Sequence, residues 1–360
     1  MIEFERGVQH LRESGFEPIV HAQVAKQHFT FAGTDEQRVT ALFEYAMDRT
    51  IPVLWAARGG YGAARLLPLL DELTERRGIP PKKLLVGYSD VTVLHEYVRN
   101  VWGWSTLHAP MPAAANFSTL DPAEFAAIVA YVKGKPANAP WAHESLGWLT
   151  EPPAESITAP LIGGNLSLWQ NLAGTRWQPS AAGKILFFED LGEPYYRIDR
   201  MVTHLVQARM LDGAAAIVLG DFCNCRDEDN QCWANADGTE KKSLRRTFNE
   251  REAFDEIFGT IGRRLGIPIA YGLPVGHGPH FAPLPLAQYQ LTSDGRLVLR
   301  GWNWLGDRLA KRKRFHAVRI GNLLELIGRW EYSSTSRRYS RATLRGARCS
   351  VYSPTVFTLP

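Results

Sequence analysis

A hydroxyl, an imidazole and a carboxylate, each at the end of an apolar run, are the groups in this chain best placed to do chemistry. Ser89 stands in Gly87-Tyr88-Ser89-Asp90. There the run Leu84-Leu85-Val86 breaks, and Val91, Leu94, Val98 and Val101 follow at helical spacing. That spacing puts Ser89 on a strand-to-helix turn, which lifts a hydroxyl above the sheet edge and aims the first helical N–H groups at whatever it attacks. The residues are not the usual Gly-x-Ser-x-Gly, and the competing reading is that Ser89 or Asp90 caps the helix.

A serine nucleophile needs a base and a carboxylate that holds the imidazole tautomer. His277 is the strongest of the ten histidines: the glycines of Val275-Gly276-His277-Gly278, after the strand-like Ile269-Ala270-Tyr271, leave its ring accessible. His108, after Ser105-Thr106-Leu107, could line a cleft, while His95 lies inside the helix that follows Ser89 and reads as packed or solvated. For the carboxylate, Ile185-Leu186-Phe187-Phe188 runs directly into Glu189 and Asp190, and an acid at the end of a buried strand must find a partner. Glu193 and Asp199 are further options, Asp199 reading more simply as an ion pair with Arg197 or Arg200.

A second strand-loop-helix precedes the serine. Arg58-Gly59-Gly60-Tyr61-Gly62 follows an apolar run at 52–57 and leads into a helix carrying Ala63, Leu66, Leu67 and Leu70. The loop is neither Gly-x-Gly-x-x-Gly nor a P-loop, so a nucleotide site has little support. An oxyanion site fits as well, with N–H groups from Asp90 and from Gly59 or Gly60; a plain tight turn is the alternative. Arg58 is a candidate for binding a substrate carboxylate through its guanidinium fork. Tyr88 and Asn165 are further candidate substrate contacts.

These groups need a scaffold, and the composition allows one: 360 residues, 45% hydrophobic, support a sizeable core and two domains. No apolar stretch is long enough to span a membrane, and Met1-Ile2-Glu3-Phe4-Glu5-Arg6 enters an amphipathic helix rather than a leader, so a cytoplasmic location is expected. Four cysteines make no disulfide framework. Cys223, Cys225 and Cys232 match no standard zinc spacing, so no metal is expected. Residues 300–360 carry 13 Lys/Arg against 3 Asp/Glu, a net +10, whereas the preceding 299 carry 28 against 34, a net −6. The acidic body argues against a nucleic-acid-binding core, and the basic segment 301–360 reads as a disordered tail.

Residues 1–135 alternate helix and strand, implying a mostly parallel sheet covered on both faces, with ligands beyond the carboxyl ends of its strands. Residues 136–160 lack periodicity and read as a linker. A second domain, 161–300, holds strand candidates at 184–188, 214–219 and 268–271 and a helix near 195–211.

Six linked motifs then resemble the L,D-carboxypeptidase (muramoyltetrapeptide carboxypeptidase) family over about residues 1–300. They are Ala32-Gly33-Thr34-Asp35-Glu36-Gln37-Arg38, Arg58-Gly59-Gly60-Tyr61-Gly62 with Arg65-Leu66-Leu67, Gly87-Tyr88-Ser89-Asp90, Gly163-Gly164-Asn165-Leu166-Ser167-Leu168, residues 188–200, and Gly276-His277-Gly278. The family also includes microcin-immunity peptidases. The resemblance implies an α/β protein with an N-terminal parallel (flavodoxin/Rossmann-like) domain and a smaller β-rich C-terminal domain. It implies Ser89 as nucleophile, Glu189 as acid and His277 as base, with oxyanion donors on Asp90 and Gly60. It further implies a cytoplasmic, metal-free and cofactor-free homodimer that removes the terminal D-alanine from murein tetrapeptides in peptidoglycan recycling. The alternatives are cleavage of aminoacyl-nucleotide antibiotics, or muropeptide or nucleotide binding without catalysis. Ala109 stands where the family commonly has glycine. The family's usual first strand is missing before Met1, so exposed sheet edges are expected.

Overall fold

Apolar runs with a side-chain period of two become strands because both of their faces can be buried, and here they are. In the computed structural model, which describes residues 2–115, 117–135, 140–226, 249–305 and 318–321, β1 (Pro18–Val20), β2 (Val53–Ala56), β3 (Leu84–Gly87) and β4 (Ser105–His108) belong to one sheet. Val53, Trp55, Leu84, Val86 and Leu107 pack against α1 (Ile2–Glu13) and α5 (Pro122–Val132), through Phe4, Val8, Leu11, Phe125 and Ile128. The alternate residues Leu54, Ala56 and Leu85 face α2 (Asp35–Met47), α3 (Leu67–Arg77) and α4 (Thr92–Asn100). Burying each such aliphatic side chain contributes about 2 kcal/mol.

The second sheet is built from β5 (Gly147–Trp148), β6 (Ile157–Asn165), β7 (Ile185–Leu191), β8 (Ala216–Cys223), β9 (Ile269–Tyr271), β11 (Gln288–Leu291) and β12 (Leu297–Gly301). Its centre, β6 to β9, is parallel, and β11, β12 and β5 join antiparallel at the two sides. The chain is thus an α/β protein with a mainly parallel first sheet and a second, β-rich sheet.

Both halves share one core. Val91, Leu94 and Val98 of the α4 region pack with Leu166, Trp169, Leu186 and Phe188. The seam is also polar: Thr92 Oγ1 accepts from Asn165 N at 3.0 Å, and Glu96 Oε1 from Gly163 N at 3.3 Å. The helix that begins at Ser89 is therefore tied directly to the strand beside the one carrying Glu189.

Three expectations about the chain's organisation are corrected. The stretch 136–160 is not a bare linker, because β5 pairs with β9 and Trp141 and Leu146 are buried in the second core. The boundary at 160–161 is not clean, because β10 (Leu284–Pro285) returns to the first sheet as a partner of β4. Nor is the first sheet left with open central edges, since β13 (Val318–Gly321) lies parallel between β1 and β2. Those four residues were expected in a disordered tail; a Val-Arg-Ile run has strand propensity, and two unpaired strand edges supply its hydrogen bonds. The rest of 306–360 lies outside the described residues, as do Cys232 and Cys349. Among the described residues no helix is long and apolar enough to cross a membrane.

Candidate active site

Strand β3 ends at Gly87, Tyr88 is extended, and Ser89 takes a left-handed conformation (φ +62°) before the chain turns into a short 3-10 segment and α4. A side chain held there costs on the order of 1 kcal/mol, and such strain concentrates at functional turns. The helix-cap reading does not hold: no side-chain cap bond forms at Tyr88 or Val91, and Asp90 Oδ2 instead accepts from Ala63 N at 2.8 Å. That bond draws the glycine loop onto the elbow. Arg38 holds the loop from the far side, buried, donating to Gly62 O at 3.3–3.4 Å, stacked 4.7 Å from the Phe31 ring centre and paired with Asp35. Asp35 also accepts from Arg65 Nε at 2.9 Å, so the distant motif residues Asp35, Arg38, Gly62 and Arg65 form one clamp.

The clamp presses Gly59 against the serine. A Cβ on Gly59 would stand 2.9 Å from Ser89 Cβ and 3.2 Å from its Oγ, so only glycine fits. Gly60, the expected oxyanion donor, is the next residue and is exposed. Arg58 is half-buried beside Tyr88 and, among the described residues, forms no ion pair with Asp90 or any other acid.

On the second sheet, Glu189 is fully buried and its Oε2 lies 2.6 Å from Nδ1 of His277, whose side chain is 11% exposed. A bulge sets this geometry: Gly220 and Asp221 of β8 oppose the single residue Glu189 of β7. The loop after β9 is pinned to β8 by Leu273 N to Leu219 O (3.1 Å) and Asp221 N to Val275 O (2.9 Å). At Gly276 (φ +145°) a Cβ would come within 2.9 Å of Glu189 Cβ, so glycine brings His277 close to the acid. Burial by itself pushes the Glu189 carboxyl up, but the charge and hydrogen bond of His277 outweigh it and hold the group below the usual carboxylate value. Burial likewise works against a charged His277, and Glu189 more than offsets it, so the imidazole is more basic than usual. That is the signature of a neutral-or-charged imidazole oriented by a carboxylate anion.

The two sides meet at Tyr88, whose ring centre is 4.7 Å from that of His277. Among the described residues Ser89 makes no hydrogen bond to His277, and such bonds often tighten only around substrate.

The other candidates sort themselves by what they touch. Asp190 accepts from Asn165 Nδ2 (3.0 Å), Ser167 N (3.0 Å) and Ser167 Oγ (2.6 Å), so it anchors the turn into α6 (Leu166–Gln170) rather than a histidine. Burial and the neighbouring Glu189 raise its pKa to about 6. Asn165, expected to contact substrate, is buried and engaged: it caps α6 through Leu168 N (3.2 Å) and holds Asp190. Tyr88, also expected at the substrate, packs on the His277 imidazole, with burial raising its phenol pKa. Glu193 pairs with Arg197 at 3.5 Å; among the described residues Asp199 is exposed without the expected ion pair, and Arg197 and Arg200 stack on Tyr196. His95 and His108 are both buried.

Asp221 was not anticipated. It ends the run Ile217-Val218-Leu219-Gly220 much as Glu189 ends its own strand, so the same signal was present. Its carboxylate lies against Gly278, and burial together with Glu189 raises its pKa to about 6.

Comparison with known proteins points to one family. Residues 1–109 match the LD-carboxypeptidase N-terminal domain family and residues 158–289 the LD-carboxypeptidase C-terminal domain family. A carboxypeptidase homologue of Rickettsia prowazekii is 36% identical over 53% of this chain, and the match spans 59% of that relative's length. The murein tetrapeptide carboxypeptidase of Pseudomonas aeruginosa is 28% identical over 81% of this chain and 89% of its own. Among solved structures, the muramoyltetrapeptide carboxypeptidase of Oxalobacter formigenes superposes with a TM-score of 0.62 at 28% identity, covering 82% of this chain and 93% of that one. The microcin C7 self-immunity protein MccF shares the fold at 22% identity, with a TM-score of 0.64 and coverages of 84% and 91%.

Proposed function

This chain belongs to the LD-carboxypeptidase family, and on that premise we propose that it is a serine peptidase removing the terminal D-alanine of murein tetrapeptides. The observation that carries the reading is the 2.6 Å bond between His277 and Glu189 beside a strained Ser89 elbow. His277 Nε2 takes the Ser89 proton as Oγ bonds to the carbonyl carbon on the L-side of the scissile amide. The N–H groups of Asp90 and Gly60 receive the oxyanion, an interaction worth roughly 3–4 kcal/mol per donor. The amide C–N bond then breaks, the leaving nitrogen takes the proton from His277, and D-alanine departs. Water repeats the sequence on the acyl-enzyme with His277 as base, freeing the tripeptide and restoring Ser89. Arg58, half-buried at the mouth without an acidic partner among the described residues, is assigned to the D-alanine carboxylate.

Cytoplasmic location and a homodimer belong to the same reading, and light scattering of the purified protein tests the second. Mass spectrometry of a murein tetrapeptide and, in parallel, of a peptidyl-adenylate tests the first choice of substrate against the aminoacyl-nucleotide alternative. Alanine loss from the tetrapeptide alone supports the proposal. Cleavage of the adenylate alone replaces it, and saturable binding without product supports a non-catalytic role.

A further inference from the structure

Behind the catalytic pair lies a set of polar groups that the mechanism does not use. His95 and His108 are 0% and 2% exposed, and among the described residues none of their four ring nitrogens has a hydrogen-bond partner. The same holds for Thr106 Oγ1 and for the second oxygen of Glu189, Oε1. Buried polar atoms are normally paired, directly or through an ordered water. Of these groups, His108 is the one close enough to interact electrostatically with Glu189 and His277, and His95 neighbours His108.

The placement of His108 is specific. It ends β4 at the same sheet edge as Tyr88, with ring centres 5.7 Å apart, and Tyr88 in turn packs on His277 at 4.7 Å. It also stands edge-on to Phe187 at 5.3 Å. Phe187 and Glu189 are two apart on β7 and project from the same face, so His108 lies on the side where Glu189 points. Asn165's amide donates to Asp190 Oδ1 at 3.0 Å and, with its second N–H, also helps stabilise the charged Glu189 carboxylate, while Oε1 keeps no partner among the described residues. Burial first of all, with His277 adding to it and Glu189 opposing it, lowers the pKa of His108 to about 4, so it is a neutral ring with one N–H to donate.

We propose that His108 donates this N–H to Glu189 Oε1 across one water, and is a positioning residue for the Glu189 and His277 pair. His95, fully buried and held neutral by burial and by the neighbouring His108, is a second unpaired imidazole beside it. The catalytic consequence rests on the peptidase reading, but the bond itself can be tested without turnover.

The pair is faced by Asp190 from β7, Asp221 from β8, His108 from β4, and Tyr88 with Arg58 from the first sheet. A donor on Oε1 stabilises the form in which Glu189 is charged and His277 neutral. Removing the donor makes the pair hold its proton more tightly, so the His277 titration moves to higher pH. In NMR of histidine-labelled protein, His108→Leu is expected to raise the His277 midpoint by about one pH unit. His108→Asn or His108→Gln, whose amides reach the two ring-nitrogen positions, should return the midpoint most of the way to its wild-type value. Where the protein turns over substrate, kcat/KM at neutral pH should fall roughly tenfold in His108→Leu with KM little changed. An identical His277 midpoint in wild type and His108→Leu overturns the assignment, and so does an equal shift in the leucine and amide variants. Should His108→Leu not fold, the unmodified protein decides. A neutral His108 with one slowly exchanging N–H is required, and a His108 that titrates between about pH 5 and 8 contradicts the proposal.

Discussion

At the edge of the first sheet the proposed nucleophile is held mainly by backbone: a left-handed Ser89, the bare Cα of Gly59, and a loop fixed by Asp90 and Arg38. At the edge of the second sheet the proposed acid and base are held by burial and charge, with Glu189 at 0% and His277 at 11% side-chain exposure. The first device joins motif residues spread over positions 38–90, and its geometry rests mainly on the backbone. The second joins residues 88 positions apart and works only while one partner is charged. Substitutions on the first side should therefore change rate without moving the pH profile, and those on the second should move both.

The largest effect is expected from Ser89→Ala, with D-alanine release falling by at least about 10⁴-fold. Its melting temperature should stay within about 1 °C, because among the described residues the lost hydroxyl makes no hydrogen bond. Retained turnover would remove Ser89 from the mechanism. Glu189→Gln should cost about 10³- to 10⁴-fold. Because Glu189's charge is what raises His277, the acid limb of kcat/KM, expected above pH 6.5 in the wild type, should also move down. An unmoved limb would mean that the two residues do not titrate as a pair.

Gly59→Ala should lower kcat by about 10- to 100-fold, since its Cβ displaces Ser89, while leaving the acid limb in place. A shifted limb there would dissolve the contrast between the two sides. The smallest effect is on stability. Asp221 has a folded pKa of about 6, above its ordinary 3.8, so the folded protein binds that proton more tightly than the unfolded chain. Stability is then highest below that range and declines as pH rises from about 4 to 6. Asp221→Asn should flatten the decline, raising the melting temperature at pH 7.5 by about 2 °C with no change at pH 4, measured by thermal unfolding.

The same contrast explains what could be read from the residues alone. The Ser89 elbow was legible because strand, turn and helix lie within a short stretch whose periodicity changes from two to 3.6 at Gly87. His277 and Glu189 were recognisable as types at strand ends, but their pairing depends on β7 and β9 both flanking β8 and on a bulge at Gly220 and Asp221. Neither feature leaves a local pattern. Long-range pairing likewise hid β10, which joins β4 from the other half of the chain, and β13, whose four residues sit in a basic stretch. What Asn165 and Tyr88 touch was hidden for a related reason: a polar side chain near a site in sequence can also cap a helix or pack on an imidazole.

The most direct measurement is incubation of the purified chain with a murein tetrapeptide, followed by mass spectrometry of the products, beside Ser89→Ala and His277→Ala. Conversion to the tripeptide with release of one alanine, lost in both variants, is the expected result. An intact tetrapeptide in the presence of folded wild-type protein, or equal conversion by the variants, would contradict an active site made from Ser89, Glu189 and His277.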